Sequence, residues 1–271
     1  MGSQPSGVNR ISSNIPNYFT LLNLIFGCIA IVYLMQNGIS IVETNPSPEN
    51  PVGQELTLTP ERIFLAPLFI ALAAVVDFLD GFVARALKAS SELGKQLDSL
   101  ADVVSFGVAP SLIIYQFLRL SLAKSDSGLD ASFIWLVPAF VLAAAAAYRL
   151  AKFNLDTRQS YSFRGTPVPS VGITIAAFPL IFWSSNNETV INLLTNKWFW
   201  YAVVFALSWL MVSDIPIMSN KPKSKTIGGL LPQIILLVIS IIVSILFGWL
   251  SVPFIFISFV LLSLLFKKQL E

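Results

Sequence analysis

The chain has 271 residues, 55% of them hydrophobic and only 12% charged, with a mean hydropathy of +0.74. A soluble domain carries roughly 25% charged residues, so this composition excludes a soluble globule as well as a disordered chain and leaves an integral membrane protein. The formal net charge is +2, there is no histidine, and the one cysteine is Cys28. These counts exclude a histidine base, a Ser-His triad, a His-ligated metal and an internal disulfide, and any metal must be held by oxygen. No nucleic-acid partner is expected.

The first 15 residues, MGSQPSGVNRISSNI, are polar and lack the short apolar core and small-residue cleavage site of a signal peptide. Eight apolar spans follow, at 16–36, 62–87, 96–121, 131–154, 169–186, 197–213, 227–247 and 250–267. Each is near the ~17–25 residues that a membrane helix needs. The last two are separated by little more than Gly248 to Val252, which predicts a tight helical hairpin. The fold class is therefore all-α, a polytopic membrane helical bundle of about eight transmembrane helices. Trp183, Trp198 and Trp200 fall near outer span ends, where interface anchors belong. Cys28 reads as a packing residue, and the run Ala143 to Ala147 as a surface for close helix contact.

Lys and Arg set the orientation. With eight spans both termini share one side, which holds Arg10, Arg85, Lys88, Lys95, Arg149, Lys152, Arg158, Arg164, Lys221, Lys223, Lys225, Lys267 and Lys268. The other side holds Arg62, Arg119, Lys124 and Lys197. The excess marks the first side, with both termini, as cytoplasmic. The opposite loop at 37–61 carries Glu43, Glu49, Glu55 and Glu61 and no Lys or Arg, and reads as a solvated connector.

The segment at 75–107 carries the chemistry. It places Asp77, Asp80, Asp98 and Asp102 at or near the cytoplasmic ends of the second and third spans. A carboxylate at mid-helix costs about 2.5–3.5 kcal/mol to insert, so four need compensation. Asp77 and Asp80 are three apart, with Gly81, Ala84 and Arg85 continuing their face; Asp98 and Asp102 are four apart, continued by Ser105 and Ala109. The short connection makes the two helices antiparallel neighbours, so the acidic faces converge. Four converging carboxylates repel unless cations neutralise them, and an all-oxygen set suits one or two divalent ions. Two close metals are an arrangement used for phosphate displacement. A cation or proton pathway fits less well, because the acids gather at one depth. Asn17, Thr20 and Asn23 share one face of the first span, a pattern that suits helix–helix hydrogen bonds, and Ser105 reads as a packing serine.

Read as Asp77-x2-Asp80-Gly81-x2-Ala84-Arg85-x8-Gly94-x3-Asp98-x3-Asp102, the segment resembles the signature of the CDP-alcohol phosphotransferase family at all eight fixed positions. Pro16-Asn17-x2-Thr20-x2-Asn23-x3-Gly27 resembles the family's first helix. Arg149 to Asn154, Phe163 to Pro169 and Met211 to Pro216 resemble stretches typical of the bacterial and archaeal phosphatidylserine synthases, with Thr166 standing where an apolar residue is usual. The resemblance divides the chain into a cytoplasmic segment at 1–15, a six-span catalytic core at 16–226 and a C-terminal helix pair with a short tail at 227–271.

The resemblance implies a reaction of CDP-diacylglycerol with L-serine that yields phosphatidylserine and CMP, in a homodimer among membrane lipids with the site facing the cytoplasm. It implies Asp77, Asp80 and Asp98 as main ligands of Mg²⁺ or Mn²⁺, two ions per site, and Asp102 as general base and further ligand. Gly81, Ala84 and Arg85 would line the CDP part, joined by Asn17, Thr20 and Asn23. The serine carboxylate needs a cationic or amide-rich pocket, and the expectation falls on Arg149, Lys152, Asn154 and Arg164. A sibling enzyme using glycerol phosphate or inositol phosphate shares the whole catalytic signature.

Overall fold

The computed structural model describes residues 7–36, 39–43, 48, 54–58, 63–87, 91–124, 132–155, 163–218 and 227–266. Arg62, Lys88, Arg158, Lys221, Lys223, Lys225, Lys267, Lys268, Glu49 and Glu61 lie outside them, and of Arg10 and Arg164 only the backbone is described. The helices are α1 (Gly7–Met35), α2 (Leu65–Ala86), α3 (Glu92–Asp102), α4 (Ala109–Ala123), α5 (Val141–Leu155), α6 (Val168–Ser184), α7 (Glu188–Leu194), α8 (Lys197–Val212), α9 (Ile227–Phe247) and α10 (Ser251–Leu265). A π turn at Val103–Val108 joins α3 to α4, so 92–123 is one helical stretch.

Among the described residues, five helical stretches are long and apolar enough to cross a membrane, or six if α7 and α8, which bend by 67° at their junction, form one span. Multiple apolar helices mark an integral membrane protein. The fifth stretch runs from Leu231 to Leu265 and is broken at Gly248, whose φ of +54° suits a residue without Cβ. The Ser244 and Ser251 hydroxyls lie 3.4 Å apart and the Phe247 and Phe254 rings 5.6 Å apart. Residues seven apart in an unbroken helix are separated by about 10 Å along its axis, so α9 and α10 fold back on each other as a hairpin.

Among the described residues, two short antiparallel ribbons accompany the helices. Strands β1 (Ile39–Glu43) and β2 (Gln54–Leu58) pair Ile39 with Leu58 and Glu43 with Gln54, so the segment read as a plain connector contains a hairpin of strands. Strands β3 (Phe163–Arg164) and β4 (Pro216–Ile217) pair Phe163 with Ile217. At Gly165, φ is +75° and an added Cβ would stand 2.4 Å from the Met211 carbonyl oxygen, so only glycine lets this chain segment lie against the end of α8.

The core runs along the 92–123 stretch. Over half of its apolar window is buried, against 6% for the most apolar window of the C-terminal hairpin, whose α10 still sends Phe256 and Val260 into the core. Phe106, Ile113, Ile114, Phe117 and Leu118 pack against Ala30 and Leu34 of α1, Ile70 and Ala73 of α2, Leu142 and Ala146 of α5 and Ile175 of α6. Small residues set the closest approaches. A Cβ on Gly27 would meet the Ser105 Oγ at 2.3 Å, one on Gly172 would meet the Phe106 Cβ at 2.8 Å, and one on Gly107 would meet the Ala146 Cβ at 3.1 Å. Ala143 and Ala146 of the Ala143 to Ala147 run therefore make a close contact inside the bundle.

Two sequence readings are corrected. Trp200 is fully buried and anchors no interface: its ring stacks on Phe117 at 4.7 Å and meets Phe178 and Phe199 edge-on at 5.1 Å, while its Nε1 donates to the Leu194 carbonyl at 2.7 Å. The bend between α7 and α8 turns the ring inward, whereas Trp183 and Trp198 remain exposed. Cys28 is exposed on the outer face of α1 and does not pack in the core.

Candidate active site

The acids sit where α1, α2 and the start of the 92–123 stretch meet. Ser91 starts α3: its Oγ accepts from the Gly94 N–H at 3.0 Å, as an N-cap serine does. Gly94 has no Cβ to hold α1 off, and one placed there would stand 3.0 Å from the Asn17 Oδ1. Asp98 and Asp102 then follow on the face turned toward α2.

The two acidic faces converge as their spacing predicts. Carboxylate oxygens of Asp77, Asp98 and Asp102 all lie within 4.8 Å of one another, with Asp102 buried. Asp80, also buried, is held beside them by a hydrogen bond from the Thr20 Oγ1. The Asn23 Nδ2 donates to the Asp102 Oδ1 at 3.2 Å, and the Ser105 Oγ donates to the Asn23 carbonyl at 3.0 Å. Thr20 and Asn23 thus make helix–helix hydrogen bonds, and the groups they hold are the acids themselves. Ser105 is buried in packing and hydrogen bonding, as read. Arg85 is exposed and pairs with no acid among the described residues; its Nη1 lies over Gly81, 3.6 Å from where a Cβ would be.

A cleft of ≈ 460 Å³ opens beside the acids, lined in part by Asn17, Thr20, Asp80, Ala84, Gly94 and Asp98. Lys95, which the sequence reading did not select, lies at its rim and donates through Nζ to the Asn154 carbonyl at 3.0 Å. The Asn154 Nδ2 donates to the Ser99 Oγ at 2.8 Å. The usable signal for Lys95 and Ser99 is their position within one turn of Asp98 on the helix that carries it.

Of the residues expected at an acceptor pocket, Arg149 lies within electrostatic reach of Asp102. It is 7% exposed, its guanidinium lies 5.8 Å from the Phe153 ring centroid, and its Nε has no hydrogen-bond partner among the described residues. Lys152 forms an ion pair with Asp214 at 2.8 Å, and Asn154 is engaged by Ser99 and Lys95. The backbone of Arg164 runs in β3 beside β4, and the Gly165 N–H donates to the Ile215 carbonyl at 2.9 Å. The segments at 149–154, 163–169 and 211–216, far apart in sequence, therefore meet at the acid-bearing end.

Three carboxylates whose oxygens lie within 4.8 Å of one another form a donor set for a hard divalent cation. Such a set beside a cleft with small, closely approaching residues suits a phosphorylated ligand. Comparison with known proteins points the same way. A family model described as CDP-alcohol phosphatidyltransferase matches residues 13–208. A Helicobacter pylori (strain 26695) protein named CDP-diacylglycerol–serine O-phosphatidyltransferase is 34% identical over 156 residues, 57% of this chain and 60% of that protein. A Bacillus subtilis (strain 168) protein of the same name is 33% identical over 57% of this chain and 75% of its own length. A Methanothermobacter thermautotrophicus protein named archaetidylserine synthase is 31% identical over 55% of this chain and 56% of its own. The matched region thus spans about three fifths of the Helicobacter relative.

Proposed function

We propose that this chain, which belongs to the CDP-alcohol phosphatidyltransferase family, transfers the phosphatidyl group of CDP-diacylglycerol to the hydroxyl of L-serine and releases CMP. The observation that carries the reading is the convergence of Asp77, Asp98 and Asp102 beside the cleft, next to a buried arginine. The relatives named for serine transfer support that acceptor.

The donor set fits a divalent cation of the Mg²⁺ or Mn²⁺ kind. Asp77, Asp98 and Asp102 would hold it, Asp80 would be the further carboxylate of a two-ion site, and the bound metal would supply charge neutralisation at the diphosphate. The cleft between Asn17, Thr20, Ala84 and Gly94 takes the CDP head, and the diacyl tails extend between helices into the bilayer. Asp102 accepts the proton of the serine hydroxyl. The hydroxyl oxygen then attacks the phosphorus that bears the diacylglycerol, an O–P bond forms, and the P–O bond to CMP breaks with its electron pair leaving on CMP. Arg149, buried and with an open N–H, meets the serine carboxylate. Asn154 and Lys152 belong to the same pocket wall, and Arg164 to the strand that closes it. The acid-bearing end faces the cytoplasm, a reading the Lys and Arg distribution supports, and the working assembly is a homodimer, as the family resemblance implies.

The acceptor is tested by product analysis. Purified protein with CDP-diacylglycerol and Mn²⁺ is offered serine, glycerol phosphate or inositol phosphate, and lipid products are identified by mass spectrometry. Phosphatidylserine as the product, with a raised serine KM in Arg149→Leu, supports the reading. A phosphorylated acceptor used in place of serine overturns it.

A further inference from the structure

Asn23 is fully buried, and the two ends of its amide are treated differently. Its Nδ2 donates to the Asp102 Oδ1. Its Oδ1 is buried and accepts no hydrogen bond among the described residues. Buried polar atoms without partners are rare in folded proteins, and each calls for a ligand or a cause.

The surroundings say which kind of ligand. Asp77, Asp98 and Asp102 gather acceptor oxygens within 4.8 Å of one another, and Asn23 bonds directly to one of them. Rotating the amide by 180° would set a carbonyl oxygen against a carboxylate, so Nδ2 must face Asp102. The residue cannot swing away either. The Ser105 Oγ holds the Asn23 backbone carbonyl, and Gly27, one turn on, lets α1 lie against the Ser105 backbone. One helical stretch therefore carries Asp98 and Asp102 and also fixes the asparagine beside them. A side-chain carbonyl next to carboxylates is a donor combination that hard divalent cations take.

We propose that the Asn23 Oδ1 is a ligand of the divalent cation held by the aspartates, while its Nδ2 orients Asp102. The inference rests on the reading of the acid cluster as a metal site and adds to it a neutral oxygen from α1. That oxygen makes α1 part of the metal centre, so binding of the ion ties α1 to the 92–123 stretch.

The test is Mn²⁺ binding by the intact protein in detergent, measured by titration with electron paramagnetic resonance in the absence of substrate. Asn23→Asp keeps an oxygen at the position, and Asn23→Leu keeps the volume without it. The expected result is Mn²⁺ affinity near that of the unaltered protein in Asn23→Asp and a loss of ~10-fold or more in Asn23→Leu. The metal-free melting temperature reports folding, and Asn23→Ala replaces the leucine variant if that one does not fold. Unchanged affinity in a folded Leu or Ala variant overturns the proposal. Equal losses in the Asp and Leu variants also overturn it, because they assign the whole effect to the Nδ2 contact. If the unaltered protein binds no Mn²⁺, the metal-site reading itself has failed, which is a distinct outcome.

Discussion

At the acid-bearing end, α1, α2 and the 92–123 stretch are tied by hydrogen bonds from Thr20, Asn23 and Ser105 and by the bare glycines Gly27 and Gly94. At the opposite end, Trp200 joins α8 to α4 and α6 through the rings of Phe117 and Phe178, and the Gln116 Nε2 caps the end of α1 at the Leu34 carbonyl. The first end spends its contacts on placing carboxylates, which on their own repel. The second buries large rings, which gain dispersion and fill volume without a functional constraint. Damage to the two ends should therefore read out differently: as lost turnover at one, as lost stability at the other.

The largest separation is expected for Trp200→Ala. Removing a buried aromatic costs about 3–5 kcal/mol, so the melting temperature in detergent should fall clearly while serine KM stays unchanged. A changed KM with an intact melting temperature would erase the distinction between the two ends. Gly27→Ala acts at the other end. Its methyl would stand 2.3 Å from the Ser105 Oγ and 2.9 Å from the Ser105 Cα, so α1 must shift and carry Asn23 and Thr20 with it. A displacement of this kind costs about 100-fold in kcat/KM, and steady-state kinetics on protein that melts as a folded bundle would show it. The smallest effect is expected for Lys152→Ala. Its ion pair with Asp214 is exposed on both sides, and such pairs are worth about 0–1 kcal/mol. Stability should barely move and serine KM should change by less than about threefold; a larger rise in KM would place Lys152 against the substrate.

Much of this was legible in the sequence, for reasons that differ by element. Helices in lipid must satisfy their backbone internally, so long apolar runs marked them, and Gly248 marked the turn of the hairpin. The convergence of Asp77, Asp98 and Asp102 followed from i, i+3 and i, i+4 spacing on antiparallel neighbours. What spacing does not carry is which partner a polar residue on a third helix finds. Thr20 and Asn23 share a face of α1, but only the packing of Gly27 on Ser105 sets that face against the acids. The burial of Trp200 depends on the 67° bend at the α7–α8 junction, which leaves no periodic mark. The strands at 39–43 and 54–58 are short enough to pass for a polar connector.

The central claim is that the acid cluster performs a phosphatidyl transfer to serine with Asp102 as the proton acceptor. It is tested most directly by CMP release from CDP-diacylglycerol in the presence of Mn²⁺, with and without L-serine, by the unaltered protein and by Asp102→Asn. The account predicts serine-dependent CMP release that falls by about 10²–10⁴-fold in the variant. CMP release that does not depend on serine, or that survives in Asp102→Asn at the unaltered rate, would contradict it.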